Sequence, residues 1–176
     1  MKKAISIGIQ GFSDLREQDC FFVDKTNFIK EWWGKRDVVT LITRPRRFGK
    51  TLNMSMLDCF FSNKYANRAD LFEGLSIWQD ETYRKLQGTY PVIFLSFAAV
   101  KAGNLEDAKT QIKQEITRLY WENRNLMKED IFGEDERELY YRTTVKMDDV
   151  TAQDSLRNLS VWMERYYGKK VIILLD

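Results

Sequence analysis

The chain has 176 residues, and 28 Lys and Arg residues against 26 Asp and Glu residues give a net charge of +2. So small a net charge argues against a general polyanion-binding protein. Hydrophobic residues make up 44% and aromatic residues 14% of the chain, which suits a compact domain with one sizeable core and excludes a disordered chain. Histidine is absent, so Ser-His-Asp, Cys-His and His-metal sites are excluded within this chain.

The cysteines and the apolar runs indicate the compartment. Cys20 and Cys59 lie in unlike contexts, which favours free thiols in a reducing cytosol over a disulfide. The apolar run from Ala4 to Ile9 is too short for an export signal, and the longest one, Pro91 to Val100, is far below the roughly 20 residues that span a bilayer. We therefore expect a cytoplasmic protein with no membrane partner.

The first predicted element is a helix through Phe28, Ile29, Trp32 and Trp33, and Asp24 is its expected N-cap. We expect the aromatic residues just before it, at positions 21 and 22, to lie in the core. Trp78, Trp121 and Trp162 are interpreted as packing residues, because no interleaved Lys/Arg pattern of a base-stacking platform surrounds them.

Three apolar runs of strand length follow along the chain. They are nearly continuous rather than alternating, which is typical of strands buried on both faces of a parallel sheet. The runs are Val38 to Thr43, Val92 to Phe97 and Val171 to Leu175.

Helical patterns lie between these runs. One contains Leu52, Met56, Leu57, Phe60 and Phe61; a second runs from Leu105 to Tyr120 behind an Asn104 N-cap; a third, with Leu156, Leu159, Trp162 and Tyr166, stops at Gly168. Strands separated by helices predict an α/β fold with a mostly parallel sheet. The stretch from Glu129 to Val150 is the least periodic, and we expect a helical excursion with surface loops.

The segment Thr43-Arg44-Pro45-Arg46-Arg47-Phe48-Gly49-Lys50-Thr51 stands between a predicted strand and a predicted helix, as a phosphate-binding loop requires. Gly49 would let the backbone approach a phosphate, Lys50 would reach β- and γ-phosphate oxygens, and the Thr51 hydroxyl would ligate Mg²⁺. The first glycine of G-x-x-x-x-G-K-[ST] is missing, because Arg44 takes its place.

A simpler interpretation of the same segment is a solvated basic turn, which could serve a non-catalytic protein-interaction or nucleic-acid-binding module. A second feature favours the phosphate loop. The run Val171 to Leu175 ends at Asp176, which is the form of a strand that ends in the Mg²⁺-binding acid of P-loop NTPases. An ordinary buried strand with a terminal Asp would have the same sequence, but the pair is more specific than either part.

These residues together resemble the bacterial AAA-ATPase-like family, whose own loop signature is R-P-R-R-F-G-K-[ST]. The resemblance covers essentially the whole chain in order. Besides the loop, it rests on Ile7-Gly8-Ile9-Gln10, Phe22-Val23-Asp24-Lys25-Thr26, Leu71-Phe72-Glu73-Gly74-Leu75, Tyr90-Pro91-Val92-Ile93 and Tyr167 to Asp176.

The resemblance implies a three-layer P-loop NTPase of the additional-strand class that binds ATP and Mg²⁺. It implies Arg46, Arg47, Phe48, Gly49, Lys50 and Thr51 as the ATP-binding residues, and Thr51 and Asp176, the Walker B acid, as the metal ligands. Arg46 and Arg47 would bind phosphate bidentately, but structural salt bridges to acidic residues are an equal alternative for them. Related ATPases often place an adenine-contacting segment where Phe21 to Asp24 stand. Members of the family are frequently fused to a PD-(D/E)XK nuclease-like domain.

The chain stops at the tip of a predicted strand. We therefore expect the N-terminal part of an AAA-ATPase-like domain over 1–176, with an N-terminal segment and helix over 1–37 and the layered part over 38–176. Without the acidic residue that usually follows Asp176 in the family, ATP hydrolysis should be weak or absent. A partial sheet exposes apolar edges, so self-association is also expected.

Overall fold

The computed structural model describes residues 4–5, 8–43, 45 and 48–176. They separate into two compact units, residues 1–89 and residues 90–176. Within the described ranges, none of the helices has both the length and the apolar composition that crossing a membrane requires.

The first unit is built from short helices. Its α-helices are α1 (Phe12–Glu17), α2 (Asn27–Lys35), α3 (Lys50–Phe61) and α4 (Glu81–Leu86), and 3-10 turns lie at Asn63–Tyr65, Ala69–Leu71 and Ser76–Gln79. The helix predicted from Leu52 to Phe61 is thus confirmed as α3. The sequence did not predict the 3-10 turns, since each is too short to show a period.

The core of the first unit is aromatic. Phe12, Phe60, Phe61 and Phe72 are fully buried. The Phe12 and Phe72 rings stack with centroids 5.1 Å apart, and the Phe60 ring meets the Phe72 ring edge-on at the same distance. Offset and edge-to-face contacts of this kind add about 0.5–1.5 kcal/mol per pair to the burial of apolar area.

The second unit contains a parallel strand pair and long helices. Its elements are β1 (Val92–Leu95), α5 (Leu105–Glu122), a 3-10 turn (Arg124–Lys128), α6 (Glu134–Arg142), α7 (Asp149–Tyr167) and β2 (Ile172–Leu175). β1 and β2 pair in parallel, with Val92 opposite Ile172 and Leu95 opposite Leu175. The parallel arrangement expected of two of the three apolar runs is confirmed.

The predicted ends of the long helices are also confirmed. Asn104 caps α5, its side chain accepting from the Asp107 N–H at 2.8 Å. Gly168 follows α7 with a left-handed φ of 63°, which is the usual conformation of a helix-ending glycine. The core of this unit gathers residues from β1, the three α-helices, the 3-10 turn and the segments between them: Ile93, Leu95, Ile116, Leu119, Tyr120, Leu126, Met127, Phe132, Tyr140, Met147, Leu159, Trp162 and Met163.

The strand predicted at Val38 to Thr43 is wrong. These residues have no regular secondary structure, and Val38 is 100% exposed. A run of β-branched residues forms a strand only when a neighbour accepts and donates its backbone hydrogen bonds, and none of residues 38–43 pairs with another strand in the described ranges. The fold is therefore mixed α/β with a two-stranded parallel sheet.

Three side chains near the predicted N-terminal helix and on α5 also differ from expectation. The N-cap of α2 is Thr26, not Asp24. Phe21 is 53% exposed, so it is not a core residue, whereas Phe22 packs edge-on against Phe12. Trp162 is buried, as predicted, but Trp121 is 68% exposed and is not a packing residue. Apolar spacing could not separate the buried aromatic rings from the exposed ones, because phenylalanine and tryptophan occur both in cores and on the walls of surface hollows.

Asp24 ties the start of α2 to a distant turn. One carboxylate oxygen accepts from the Thr26 N–H and hydroxyl at 2.9 and 2.7 Å. The other accepts from the Ser76 N–H and hydroxyl at 2.7 and 2.6 Å. Although partial burial acts to raise it, these hydrogen bonds from Ser76 and Thr26 lower the pKa of Asp24 to about 2.

Replacing this carboxylate should therefore destabilise the protein in a pH-dependent way. We expect Asp24→Ala to lower the free energy of unfolding near neutral pH by about 1–3 kcal/mol, since charge-assisted hydrogen bonds are lost. Because the folded pKa lies below the unfolded one, this contribution is present above about pH 4 and is lost as the pH falls to about 2. Urea unfolding at several pH values measures it.

The control is Asp37→Ala, which removes an exposed carboxylate after α2. Its effect should stay within about 0.5 kcal/mol. A difference between Asp24→Ala and the wild-type protein that did not shrink toward low pH would contradict the role given to the Asp24 carboxylate.

Candidate phosphate-binding site

Helix α3 begins at Lys50, directly after a glycine in the left-handed conformation. Gly49 has φ 75° and ψ 26°, values that cost an L side chain about 1–2 kcal/mol. The turn brings the chain from the loop into the first helical residue without a side chain at its corner. The first N–H groups of a helix lack intrahelical partners and favour anions, so this turn presents the positive end of α3 next to the loop.

The Lys50 side chain folds back over the loop. Its Nζ donates to the Pro45 carbonyl oxygen at 3.2 Å. Thr51 follows in the first helical turn and is half-buried, whereas Phe48 is largely exposed. The ammonium group and the threonine hydroxyl of the predicted site therefore belong to the same helix end. Arg46 and Arg47, which were predicted to contribute, lie outside the described residues, as does Arg44, which takes the place of the first glycine of the motif.

The far half of α3 is anchored in the core. Met56, Leu57, Phe60 and Phe61 are buried. The Ser55 hydroxyl oxygen accepts from the Phe12 N–H at 2.9 Å and joins α3 to α1. The helix end that carries Lys50 is therefore supported by packing one to three turns away.

A hollow of about 320 Å³ adjoins the first turn of α3. It is lined by Lys25, Asn27, Phe28, Glu31 and Asn53. Asn53 stands one turn after Lys50 on the same helix, and its side chain is largely buried. The adenine-contacting segment expected at Phe21 to Asp24 precedes the lining residues Lys25, Asn27 and Phe28 along the chain, and its role stays a prediction.

Asp176 occupies the predicted place at the end of a strand. Its N–H donates to the Leu95 carbonyl oxygen at 3.0 Å, and its own carbonyl oxygen accepts from the Phe97 N–H at 2.8 Å. The Ser96 hydroxyl donates to Oδ2 of Asp176 at 3.3 Å. Ser96 was not among the predicted site residues; it is the polar residue within the apolar run from Val92 to Phe97, and it directly follows the observed strand β1. A polar residue at the carboxyl end of a parallel strand was the signal that could have identified it.

The predicted site residues fall in both units. Gly49, Lys50 and Thr51 belong to residues 1–89, and Asp176 belongs to residues 90–176. Over the described ranges, no group of three or more Cys, Asp or Glu side chains is arranged to hold a metal ion. The metal-binding roles of Thr51 and Asp176 therefore stay predictions.

Comparison with known proteins identifies the family. The family model described as "Predicted AAA-ATPase" matches residues 6–176, so the chain belongs to that family. A protein of Azotobacter chroococcum mcd 1, described as an uncharacterized protein in the vnfD 5′ region, is 30% identical over 117 residues, which are 66% of this chain. The match covers 21% of that relative, so the chain spans about a fifth of its length. No solved structure matches.

The left-handed conformation of Gly49 before α3 leads to a prediction about the free energy of unfolding. We expect Gly49→Ala to lower the free energy of unfolding by about 1 kcal/mol, because a Cβ at this position meets no atom of the described residues within 4 Å and φ 75° is unfavourable for alanine. Gly49→Asn should cost less, since asparagine tolerates this conformation. Chemical denaturation of the three proteins measures it.

The matched control is Gly34→Ala. Gly34 lies inside α2, where an added Cβ again meets no atom within 4 Å and φ is not positive. Alanine should stabilise the helix there by about 0.5–1 kcal/mol. If both substitutions stabilised the protein, or both destabilised it, the cost assigned to the left-handed conformation of Gly49 would be contradicted.

Proposed function

We propose that this member of the predicted AAA-ATPase family binds Mg-ATP, with the phosphates at the start of α3. The observation that carries the proposal is the sequence of conformations at Gly49, Lys50 and Thr51: a left-handed glycine, then a helix whose first two residues are the lysine and the hydroxyl that phosphate loops require. In this proposal the two-stranded sheet is part of a three-layer P-loop fold of the additional-strand class.

Lys50 is suited to a change of partner on binding. Its contact with the Pro45 carbonyl oxygen is a charge-assisted hydrogen bond at the protein surface. A phosphate oxygen offers the same ammonium group a full negative charge, which makes a stronger bond than a neutral carbonyl does. The backbone N–H groups at the helix start add to the attraction. The loop cations Arg46 and Arg47 are proposed to contact the same phosphates, beside Phe48.

The hollow beside α3 is suited to the nucleoside part of ATP. Phe28 offers an aromatic ring and Asn27 and Asn53 offer amide groups, which can donate to and accept from a base or ribose. The hollow and Lys50 adjoin the same first turn of α3. A ligand that reaches from one to the other would therefore have a ring system at one end and phosphates at the other.

Mg²⁺, when bound, would neutralise phosphate charge, and we propose Thr51 and Asp176 as its protein ligands. A hydroxyl and a carboxylate are hard oxygen donors, and Mg²⁺ prefers these to nitrogen or sulfur. The hydrogen bond from Ser96 would hold one oxygen of Asp176 in place. A fused nuclease-like domain, self-association and a cytoplasmic location are parts of the proposal that rest on the resemblance and the composition alone.

The first functional prediction concerns Lys50. We expect Lys50→Ala to weaken Mg-dependent binding of a non-hydrolysable ATP analogue by about tenfold to a hundredfold, because a charge-assisted hydrogen bond to phosphate is lost. Titration calorimetry with and without Mg²⁺ measures it. Circular dichroism checks that the variant keeps its helices.

The matched control is Lys35→Ala, which removes an exposed lysine from the last turn of α2 in the same unit. Analogue binding should be unchanged in this variant. If both lysine variants bound the analogue as the wild-type protein does, α3 would not be the start of a phosphate-binding site.

The second functional prediction tests whether the base of ATP binds at Phe28, apart from the phosphates. We expect Phe28→Ala to weaken binding of the ATP analogue by about tenfold while binding of inorganic triphosphate stays the same, because a stacking surface contributes about 1–3 kcal/mol to a base alone. Competition between the two ligands in the wild-type and variant proteins measures it. Equal losses for both ligands would place the nucleoside elsewhere.

A further inference from the structure

The second unit has a hollow of its own, of about 250 Å³. Its aromatic lining comes from Tyr120 and Trp121 on α5 and from Tyr140 and Tyr141 on α6, and Arg124 and Lys128 of the 3-10 turn supply positive charge. We call these six residues the aromatic pocket. All of them belong to residues 90–176, whereas the phosphate-binding loop belongs to residues 1–89. The pocket is thus a separate feature of the molecule.

Hydrogen bonds and a ring contact hold the inner wall of the aromatic pocket. The Tyr120 hydroxyl donates to the Ser155 carbonyl oxygen at 2.8 Å, and the Tyr140 hydroxyl donates to the Tyr120 carbonyl oxygen. The two rings are tilted against each other with centroids 4.8 Å apart, and both residues are buried. Burial raises the pKa of each phenol well above its ordinary range, so both stay neutral. A ligand would meet a preformed apolar surface.

The outer wall exposes aromatic surface to water. Trp121 is 68% and Tyr141 62% exposed. A single exposed aromatic residue is ordinary, but two that face one hollow form the type of surface that ligands and partners cover. Within the described part of the chain, neither the Trp121 indole N–H nor the Tyr141 hydroxyl has a hydrogen-bond partner, so both remain available to a ligand.

The positive charges of the aromatic pocket are also available. The Arg124 guanidinium carbon lies 4.2 Å from the centroid of the Trp121 ring. Among the described residues, no carboxylate pairs with Arg124 or Lys128. Arg118, by contrast, lies within the preceding helix α5 and is bound by Glu115 at 2.9 Å and by Glu122 at 2.7 Å. The two pocket cations therefore have their charge free to attract an anion.

We propose that the aromatic pocket binds a small planar aromatic ligand that carries one anionic group. The ring would lie against Tyr120, Tyr140 and Trp121, and the anionic group would accept from Arg124 and Lys128. A volume of about 250 Å³ suits one fused ring system rather than an extended chain. An aromatic carboxylate and a nucleoside monophosphate share this chemistry.

Two pairs of probes that differ only in charge test the proposal by titration calorimetry. Indole-3-acetate is compared with indole-3-acetamide, and adenosine monophosphate is compared with adenosine. Each is titrated into the wild-type chain and into Lys50→Ala, so that binding at the phosphate loop is recognised. We expect at least one anion to bind about tenfold more tightly than its neutral partner in both proteins, with the tighter anion identifying the source of the ligand.

Variants locate the binding. Arg124→Gln combined with Lys128→Gln should abolish the preference for the anion, and Trp121→Ala should weaken binding about tenfold, whereas Trp121→Phe should retain most of it. The matched control is Arg157→Gln, which removes an exposed arginine of α7 that does not line the pocket. Circular dichroism confirms the fold of each variant.

Several results would overturn the proposal. No saturable binding of either anion, equal binding of acid and amide, or unchanged binding in the double variant would each exclude an anion site here. A thymidine oligonucleotide whose affinity rose with length and exceeded that of adenosine monophosphate would instead identify an extended nucleic-acid surface.

Discussion

The burial of one face of α3 is the constraint on which the candidate phosphate-binding site depends. Met56, Phe60 and Phe61 fix the far half of this 12-residue helix in an aromatic core. A helix rises about 1.5 Å per residue and is stiff over this length, so a core contact at Phe60 determines the direction of the helix start about 15 Å away. Gly49 and Lys50 are thus positioned by packing that involves neither of them. The direction of this helix end therefore depends on the core and not on contacts of Gly49 or Lys50.

In the second unit, the parallel register of β1 and β2 positions the polar residues that follow the two strands. Leu95 lies opposite Leu175, so the residues that follow, Ser96 and Asp176, meet at the same edge of the sheet. A slip of one residue would turn every side chain of β2 to the other face. The buried Leu174 opposes such a slip, since it would exchange places with an exposed neighbour. A hydrogen bond between two polar side chains is therefore specified by the apolar residues just before them.

The sequence predicted the helices, which depend on local apolar spacing. It could not predict strand pairing, which depends on a distant segment of the chain. Helices α3, α5 and α7 follow from their apolar spacing, and the Asn104 and Gly168 ends follow from local capping chemistry. The run from Val38 is rich in β-branched and aliphatic residues, as β1 is, yet Val38, Val39 and Leu41 are exposed, because pairing with a neighbouring strand is not encoded in the run itself. Of the candidate site, the start of the helix at Lys50 and the acid after β2 were predictable from motif and position. The hollow beside Asn53 was not, because distant segments form it.

The distribution of ion pairs carries information that the net charge of the chain does not. Within the second unit, Lys113 binds Asp149 at 2.8 Å and Arg165 binds Glu136 at 2.8 Å, so much of its positive charge is balanced locally. Arg124 and Lys128 are not balanced in this way by any described carboxylate, although the chain as a whole has a net charge of only +2. Charges farther apart than about 8–10 Å are largely screened at physiological salt, so an approaching anion is attracted by the unpaired cations near it and not by the sum over the chain. A near-zero net charge argues against binding along a long polyanion, but it is fully compatible with a local site for a small anion.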